Sequence, residues 1–307
     1  MFETLSGTAV SRFSFGTMQF GGGADEAASG EMYRASREAG INFFDTAYLY
    51  AEGASEEILG RLVAEDRDEI FLATKCGYDA ASPKAIAAEF SASRKRLGCD
   101  VVDLLYLHRW DAETPLEESF GALARYVQDG VVRHLGVSNF AAWQVMKAQT
   151  VARDMGLRID FVQPMYNLVK RQVEVEILPM AASEGLAVCP YSPLGGGLLT
   201  GKYAAGGTGR LHEEAFYASR YRAPWMHETA SALAELAGEM SVNPATLAVA
   251  WVARHENIWG PIVSARSVAQ LAPSLAAIGF EMDAALYEQM SALSVAPPPA
   301  TDRSELP

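Results

Sequence analysis

Asn42-Phe43-Phe44-Asp45-Thr46-Ala47-Tyr48-Leu49-Tyr50 is an apolar, aromatic run that ends abruptly in an acid and is soon followed by a tyrosine. A buried strand that ends in a carboxylate and leads into a short polar loop is typical of a catalytic edge. The same arrangement recurs twice downstream, where residues 70–74 end at Lys75 and residues 101–107 end at His108. Three successive apolar runs therefore each deliver one ionisable side chain at the carboxyl end.

Short strand-like runs alternate with longer amphipathic stretches through most of the chain. The predicted strands cover residues 12–15, 41–44, 69–74, 101–107, 132–137, 159–163, 187–190 and 259–263. The predicted helices cover residues 27–39, 55–65, 83–97, 116–128, 141–154, 173–184, 226–240 and 244–255. Strand-then-helix repetition with nearly continuous apolar strands predicts the α/β class and a parallel (β/α)8 TIM barrel, as a single domain over residues 1–295.

The alternation breaks between Pro193 and Pro224, in a segment rich in glycine and aromatic residues. A long loop inside a compact domain is usually functional, so we interpret this segment as a lid before the last βα unit. A disordered insertion is the alternative, and the aromatic content argues against it. Residues 296–307 begin with Ala-Pro-Pro-Pro-Ala and predict an unstructured tail.

The bulk composition narrows the function classes. A net charge of -13 argues against nucleic acid or an anionic membrane as the main partner. The three cysteines form no CxxC pair and predict a reduced, cytoplasmic protein. The start of the chain lacks the features of a secretory signal, and no uninterrupted apolar stretch reaches the length of a membrane span. The histidines are scattered without metal-binding spacing, so no metal is predicted.

The ionisable strand ends predict a proton-transfer site. All strands of a parallel barrel end on one face, so Asp45, Lys75 and His108 are expected to converge there, with Tyr50 in reach. An ammonium group lowers the pKa of a nearby phenol, and a buried lysine stays charged when a carboxylate pairs with it. The imidazole of His108 could orient a carbonyl oxygen or relay a proton. These groups suit the transfer of a proton to or from a substrate oxygen.

Each of these residues has a plainer explanation when it is taken alone. Asp45 could cap a turn, Tyr50 could be a surface aromatic residue, Lys75 a solvated strand end and His108 a core imidazole. Their joint placement at consecutive strand ends favours the catalytic interpretation. No nucleophile-elbow serine or cysteine accompanies them, and a barrel hydrolase lacks its matched pair of carboxylates.

Reduction of a carbonyl also needs a hydride source. No GxGxxG follows the first strand, which weighs against a Rossmann domain. Instead, Ser138 and Asn139 follow the fifth strand and Gln163 ends the sixth, where side-chain amides suit a carboxamide. Tyr191, after the seventh strand, could stack on a nicotinamide, while the backbone amides of residues 192–197 could cradle a pyrophosphate.

A second phosphate site is predicted after the eighth strand. There Ser264-Ala265-Arg266 opens a helix, and a helix N-terminus next to an arginine could hold a 2′-phosphate.

The chain resembles the aldo-keto reductases, NADPH-dependent enzymes on a (β/α)8 barrel, from residue 16 to about residue 271. The matching motifs are Phe44-Asp45-Thr46-Ala47 with Tyr50, Ser55-Glu56-Glu57-Ile58-Leu59-Gly60, Leu107-His108-Arg109-Trp110-Asp111, Gly136-Val137-Ser138-Asn139-Phe140, Gln163 with Tyr166-Asn167, Tyr191-Ser192-Pro193-Leu194 and Leu198-Leu199-Thr200-Gly201-Lys202-Tyr203.

The resemblance implies a catalytic tetrad of Asp45, Tyr50, Lys75 and His108, in which Tyr50 is the general acid. The cofactor residues that the resemblance and the strand-end pattern together predict are Ser138, Asn139 and Gln163 at the carboxamide, Tyr191 on the nicotinamide, Ser192, Leu194 and Gly196 along the pyrophosphate, Ser264, Arg266 and Gln270 at the adenosine end, and Lys202 as a further cofactor contact. Ser274 stands where the family usually has an asparagine near the adenine.

The expected function is cytoplasmic reduction of a small-molecule aldehyde or ketone with NADPH. The alternative is an NADPH-binding redox-sensing or regulatory subunit with little turnover, because ion-channel accessory subunits resemble this family too. The predicted substrate pocket contains Met18, Phe20, Tyr48, Trp110 and Trp225. The substrate and the oligomeric state stay open.

Overall fold

A computed structural model describes residues 2–203 and 206–301 of the chain. Its eight parallel strands are β1 (Ser14–Gly16), β2 (Phe43–Asp45), β3 (Phe71–Cys76), β4 (Val102–Leu107), β5 (Val132–Ser138), β6 (Ile159–Gln163), β7 (Ala187–Val188) and β8 (Ile262–Val263). They form one sheet in the order β7-β6-β5-β4-β3-β2-β1-β8. Backbone hydrogen bonds of 2.9 Å from Trp259 to Val188 and from Ile262 to Pro190 join the two ends of the sheet. The predicted (β/α)8 barrel is therefore confirmed.

Helices follow the strands around the outside of the barrel. They are α1 (Glu26–Glu38), α2 (Ala54–Val63), α3 (Pro83–Leu97), α4 (Leu116–Gln128), α5 (Ala142–Asp154), α6 (Ile177–Glu184), α7 (Arg210–Glu213), α8 (Ala215–Arg220), α9 (Pro224–Glu239), α10 (Pro244–Arg254), α11 (Val268–Ala276) and α12 (Ala284–Ser291). The predicted bounds of α3 and α4 are correct to the residue. The strands predicted at 187–190 and 259–263 shorten to β7 and β8, because Pro190 and Pro261 have no backbone N–H to donate.

Alternation along the strands sorts the side chains into two apolar clusters. Phe43, Phe71 and Phe161 belong to the cluster inside the barrel, while Phe44 and Leu72 belong to the larger cluster between strands and helices. Successive strand side chains point to opposite faces, so the second residue after an inward one also points inward. This parity turns the last residues of β2 and β6, and the penultimate residue of β3, toward the barrel axis.

The N-terminal segment closes the end of the barrel at which the strands begin. Phe2 lies below the strands with its ring centroid 4.3 Å from that of Phe161 and 5.2 Å from that of Trp259. A backbone bridge between Glu3 and Ala9 folds this segment into a short antiparallel turn. The inner cluster is thereby covered at the amino ends of the strands, and the carboxyl ends carry the polar groups.

The segment predicted as a long loop, 193–225, is largely helical where the structure describes it. It contains a 3-10 turn at Gly195–Thr200 followed by α7 and α8, and Leu211, Tyr217 and Tyr221 are buried. Tyr217 and Tyr221 are four residues apart, the spacing that puts two side chains on one face of a helix. In the predicted tail, residues 296–301 form neither helix nor strand, and residues 302–307 lie outside the described residues.

Candidate active site

The strand ends bring Asp45, Lys75 and Tyr50 into contact. The fully buried ammonium group of Lys75 forms an ion pair with Asp45 Oδ1 and donates to the carbonyl oxygen of Thr46 at 2.8 Å. Its third polar contact is the hydroxyl of Tyr50, at 3.4 Å. The second carboxylate oxygen of Asp45 accepts a 2.8 Å hydrogen bond from Gln163 Nε2. A buried ion pair is tolerated when its remaining donors and acceptors are satisfied in this way.

A strained turn presents Tyr50 to this ion pair. Tyr50 begins the 3-10 turn Tyr50–Gly53, in which Ala51 has φ 47° and Glu52 has φ 55°. Residues other than glycine rarely adopt this left-handed region, and such strain persists only where surrounding contacts enforce it.

Arg96 supplies the contacts that hold the turn. Its guanidinium group donates to the carbonyl oxygen of Tyr48 at 2.9 Å and pairs with the carboxylate of Glu56 at 3.3 Å. Glu56 is fully buried and also accepts a 2.6 Å hydrogen bond from Thr74, the residue before Lys75. Gly53 has φ 101°, which side chains rarely adopt, and a Cβ added there would lie 2.3 Å from the Arg96 guanidinium carbon, so a larger residue would be strained and would displace Arg96. This network links the loop of Tyr50 to the strand of Lys75.

Sequence reasoning missed this network. The sequence pattern gives no role to Arg96, and it marks Glu56 only as part of a motif that matches the family. The available signal was an acid on the apolar face of α2, because a charged side chain is rarely fully buried without a partner. The partner itself lies on α3 and could not be identified from spacing along the chain.

The electrostatics of Tyr50 and Lys75 differ in part from expectation. Burial raises the pKa of Tyr50 above its ordinary value; Lys75 opposes this increase and Asp45 adds to it. The predicted lowering by Lys75 is thus present, but the predicted net direction is wrong, because desolvation of the phenolate is the larger effect. Burial by itself would lower the pKa of Lys75, but Asp45 and Tyr50 raise it. At neutral pH the site therefore holds a neutral phenol beside a charged ammonium group.

His108 lies beside Tyr50 as a buried, neutral imidazole. The ring centroids of the two residues are 5.9 Å apart, and Tyr78 covers His108 at 5.1 Å. Burial, followed by the charges of Lys75 and Arg109, lowers the pKa of His108 to about 3. Within the described residues its Nδ1 atom is buried and has no hydrogen-bond partner. A neutral imidazole carries one N–H donor, the group needed to hold a carbonyl oxygen.

The residues predicted at the carboxamide form one hydrogen-bonded group next to His108. Asn139, which has φ 59°, donates from Nδ2 to the backbone oxygen of His108 at 2.9 Å and to Ser138 Oγ at 3.1 Å. Its Oδ1 atom accepts a 2.7 Å hydrogen bond from Tyr191, and Ser138 Oγ donates to the backbone oxygen of Gln163 at 2.9 Å. The structure therefore brings the three predicted carboxamide residues together with Tyr191, which is predicted to stack on the nicotinamide.

Two of the predicted cofactor residues, Gly196 and Lys202, lie against segment 206–220, which contains α7 and α8. Ser192 has φ 58° and Gly196 has φ 65°, and a Cβ at Gly196 would approach Tyr217 of α8 to 2.8 Å. Leu194 and Lys202 are half-buried, and the Lys202 ammonium lies 4.9 Å from the centroid of the Tyr203 ring. Segment 206–220, which we call the covering segment, therefore lies over the glycine-rich residues 195–197, which we call the glycine loop. This is the position expected of the predicted lid.

The residues predicted at the adenosine end lie at the start of α11. Ser264 Oγ is buried without a partner among the described residues, and Ser267 caps α11. Gln270 accepts a 3.3 Å hydrogen bond from the backbone N–H of Arg266. An unpartnered hydroxyl, a guanidinium group and a capped helix N-terminus form a donor set that fits a phosphate group. Ser274 is buried within α11 and its hydroxyl has no partner in the described chain.

The predicted substrate residues are more dispersed. Trp110 is half-buried and its ring makes edge contacts with Phe140 and Trp143, each at 5.4 Å between centroids. One face of the Tyr48 ring is taken by Arg96, 4.7 Å away. The structure places Phe20 in the core instead, fully buried with its ring 5.5 Å from that of Phe15, because the turn closed by a 2.8 Å backbone hydrogen bond from Phe20 to Thr17 brings the two rings together. Met18 and Trp225 are half-buried.

Comparison with known proteins agrees with this geometry. The sequence model of the Aldo/keto reductase family matches residues 12–295. The chain is 35% identical over 291 residues to a probable voltage-gated potassium channel subunit beta of Oryza sativa subsp. japonica, with 89% of each chain covered. It is 36% identical over 287 residues to aflatoxin B1 aldehyde reductase member 2 of Rattus norvegicus, covering 85% of this chain and 78% of that protein. It is 32% identical over 309 residues to the uncharacterized oxidoreductase YrpG of Bacillus subtilis (strain 168), covering 93% of each.

The chain therefore belongs to the aldo/keto reductase family, and the predicted resemblance is confirmed. Membership supports oxidoreductase activity.

In the part of the chain that the structure describes, no helix is long and apolar enough to cross a membrane. Nor do the described ranges contain a cluster of three or more histidine, cysteine or acidic side chains that could hold a metal ion.

Proposed function

We propose that this protein reduces an aldehyde or ketone to an alcohol with NADPH, in the cytoplasm. The observation that carries the proposal is the contact of a neutral Tyr50 hydroxyl with the buried Lys75–Asp45 ion pair, beside the neutral ring of His108. Carbonyl reduction needs three groups at the substrate oxygen: a proton donor, a fixed positive charge and a further hydrogen-bond donor. Here these are the hydroxyl of Tyr50, the ammonium group of Lys75 and the N–H of His108.

Tyr50 serves as the general acid. Its raised pKa keeps the hydroxyl protonated at neutral pH, and the N–H of His108 holds the carbonyl oxygen within reach of it. When bound, the nicotinamide supplies the hydride that goes to the carbonyl carbon. Negative charge then develops on the oxygen, and Tyr50 transfers its proton there. Lys75 stabilises the phenolate that remains, and Asp45 keeps Lys75 charged and in place.

The cofactor assignment rests on the donor set of the chain itself. Ser138, Asn139 and Gln163 would hold the carboxamide, with the ring of Tyr191 against the nicotinamide. Ser192, Leu194, Gly196 and Lys202 would line the pyrophosphate. The buried hydroxyl of Ser264, the guanidinium of Arg266 and the side chain of Gln270 would hold the adenosine end.

Replacement of Tyr50 by phenylalanine tests the assignment. Tyr50→Phe removes the proton donor and keeps the ring, so we expect turnover of an aldehyde panel to fall by about 10²-fold or more while NADPH binding stays within about twofold. Tyr126→Phe, on α4 and away from the barrel mouth, is the matched control and should retain full activity. Substantial remaining turnover in Tyr50→Phe would refute the role of this hydroxyl.

A regulatory, NADPH-binding subunit with little turnover is a second candidate function. The observation that favours this candidate is the similarity, over 89% of each chain, to a protein named as a probable voltage-gated potassium channel subunit beta. Measured NADPH oxidation against a panel of aldehydes and ketones separates the two functions, because only the enzyme gives substrate-dependent turnover that Tyr50→Phe removes.

A further inference from the structure

Two carboxylates of the covering segment lie on the guanidinium group of Arg266. Glu213, the last residue of α7, accepts a 3.2 Å hydrogen bond from Arg266 Nη1, and Glu214 approaches Nη2 at 3.7 Å. The third side of the guanidinium faces Gln19, which accepts from Nε at 3.0 Å. All three nitrogen atoms of the Arg266 side chain therefore have an oxygen partner from the protein.

Gln19 and Gly23 fix the position of the Arg266 side chain. A Cβ added at Gly23 would lie 2.4 Å from Gln19 Oε1 and 2.9 Å from Arg266 Nε, so Gly23 leaves just enough room for this pair. The guanidinium is thus already oriented, and the two carboxylates approach it from Glu213 at the end of α7 and from Glu214, the residue between α7 and α8. Their side chains are about half exposed, at 47%, so they can leave without disrupting a core.

A guanidinium that already faces two carboxylates binds a phosphate group less favourably than a guanidinium with no such partners. One positive and two negative charges leave this cluster with a net charge of -1, and a 2′-phosphate brings further negative charge. It must displace the carboxylates or lie beside them, and like charges at contact distance repel. A ribose 2′-hydroxyl meets no such repulsion, because it is neutral and can donate a hydrogen bond to a carboxylate.

We propose that Glu213 and Glu214 set the cofactor preference of this chain, as internal competitors of the 2′-phosphate for Arg266. The inference rests on the proposed function, in which Arg266 holds the adenosine end. It adds that the preference for NADPH over NADH is weaker than Arg266 alone would produce. The covering segment therefore takes part in cofactor selection as well as in covering the glycine loop.

Binding of adenine nucleotides to the full-length protein tests this without turnover. The probes are 2′,5′-ADP, which carries the 2′-phosphate, and 5′-ADP, which lacks it, with titration calorimetry as the readout. For Glu213→Gln/Glu214→Gln we expect the affinity for 2′,5′-ADP to rise by about fivefold or more at low salt, and that for 5′-ADP to change by less than about twofold. The gain should shrink as salt is added.

The control is Glu235→Gln/Glu239→Gln on α9, which changes the net charge equally but forms no ion pair among the described residues. Equal gains in both double variants, an unchanged ratio between the two probes, or weaker binding of 2′,5′-ADP would overturn the competition. Arg266→Ala separates this failure from failure of the proposed function. Selective loss of 2′,5′-ADP binding in Arg266→Ala keeps Arg266 as the phosphate residue even if the glutamates prove irrelevant. No loss in Arg266→Ala would refute both the competition and the placement of the 2′-phosphate at Arg266, whereas carbonyl reduction itself is tested by Tyr50→Phe.

Discussion

Arg96 donates a 2.9 Å hydrogen bond to the backbone oxygen of Tyr48, and so connects helix α3 to the loop that presents Tyr50. The two residues are far apart in sequence, and the ring of Tyr48 also lies against the guanidinium, 4.7 Å from its carbon to the ring centroid. The left-handed residues Ala51 and Glu52 come three and four residues after Tyr48, immediately after Tyr50. The catalytic loop is therefore held by a side chain from outside the barrel, which makes Arg96 a positioning residue.

Loss of Arg96 should impair the chemical step more than binding. In Arg96→Met the strained turn loses its restraint and Tyr50 shifts, and a displacement of about 1 Å can lower the rate by about 10²-fold. We expect kcat to fall at least about tenfold with little change in the dissociation constant of NADPH, and Arg96→Lys to recover part of it. Lys95→Met, on the exposed side of the same helix, is the control. Combined with Tyr50→Phe, Arg96→Met should cause no additional loss; a further, additive loss would contradict positioning through Tyr50.

Breaking the Lys75–Asp45 pair should destabilise the protein. Lys75→Met leaves the buried carboxylate of Asp45 without its counter-charge, which typically costs about 3–5 kcal/mol of the free energy of unfolding. The double variant Asp45→Asn/Lys75→Met removes both charges and should regain a large part of that loss. Urea denaturation of the unmodified protein, the single variants Lys75→Met and Asp45→Asn, and the double variant measures these values. If the double variant were as unstable as the sum of the single ones, the cost would not come from an unpaired charge.

His108 should make stability depend on pH below neutrality. Its pKa in the folded chain is lowered from 6.5 to about 3, so between these values the unfolded chain binds one more proton than the folded chain. The free energy of unfolding must then fall as pH decreases from about 6.5 toward 3, by up to about 1.4 kcal/mol per unit from this residue, and this contribution is constant above 6.5. Denaturation at several pH values should show a shallower slope in His108→Gln. An equal slope in both proteins would contradict the neutral state of His108.

Two helical glycines should respond oppositely to alanine. A Cβ at Gly60 of α2 would lie 2.7 Å from the backbone oxygens of Arg96 and Leu97, whereas a Cβ at Gly121 of α4 meets nothing within 4 Å. Gly121→Ala should raise the free energy of unfolding by about 0.5–1 kcal/mol, since alanine is the better helix former. Gly60→Ala should lower it by about 1–3 kcal/mol, because the backbones of α2 and α3 must separate. It should also reduce activity, as Arg96 would move. Equal effects of the two substitutions would show that α2 and α3 do not pack this closely.

Several features could be predicted because they depend on local order along the chain. The period of two in Phe43-Phe44-Asp45 follows from strand geometry, and parallel strands must all end on one face of a barrel. These two rules bring Asp45, Lys75 and His108 together without any knowledge of the packing. The bounds of α3 and α4 were equally accessible, because Ser82 and Pro83 begin α3 and Gly98 ends it.

Other features required the folded structure. The pKa of Tyr50 depends on how deeply its hydroxyl is desolvated, and only packing determines this burial. A glycine-rich composition suggests a loop over segment 193–225, but the structure has helices there. They form because Tyr217 and Tyr221 are buried by packing against the rest of the protein. Phe20 lies in the core rather than in the predicted substrate pocket, because its ring is also buried by packing.

By itself, the sequence determined the class of fold, the face on which the strand ends meet and the kinds of chemical group found there. These follow from periodicity and from the side chains at each strand end, which are local properties. Only the tertiary structure decided that Arg96 restrains the Tyr50 loop and that Glu213 and Glu214 lie on Arg266. Both relationships join residues distant along the chain, and their energies depend on distance and burial, which no spacing in a sequence specifies.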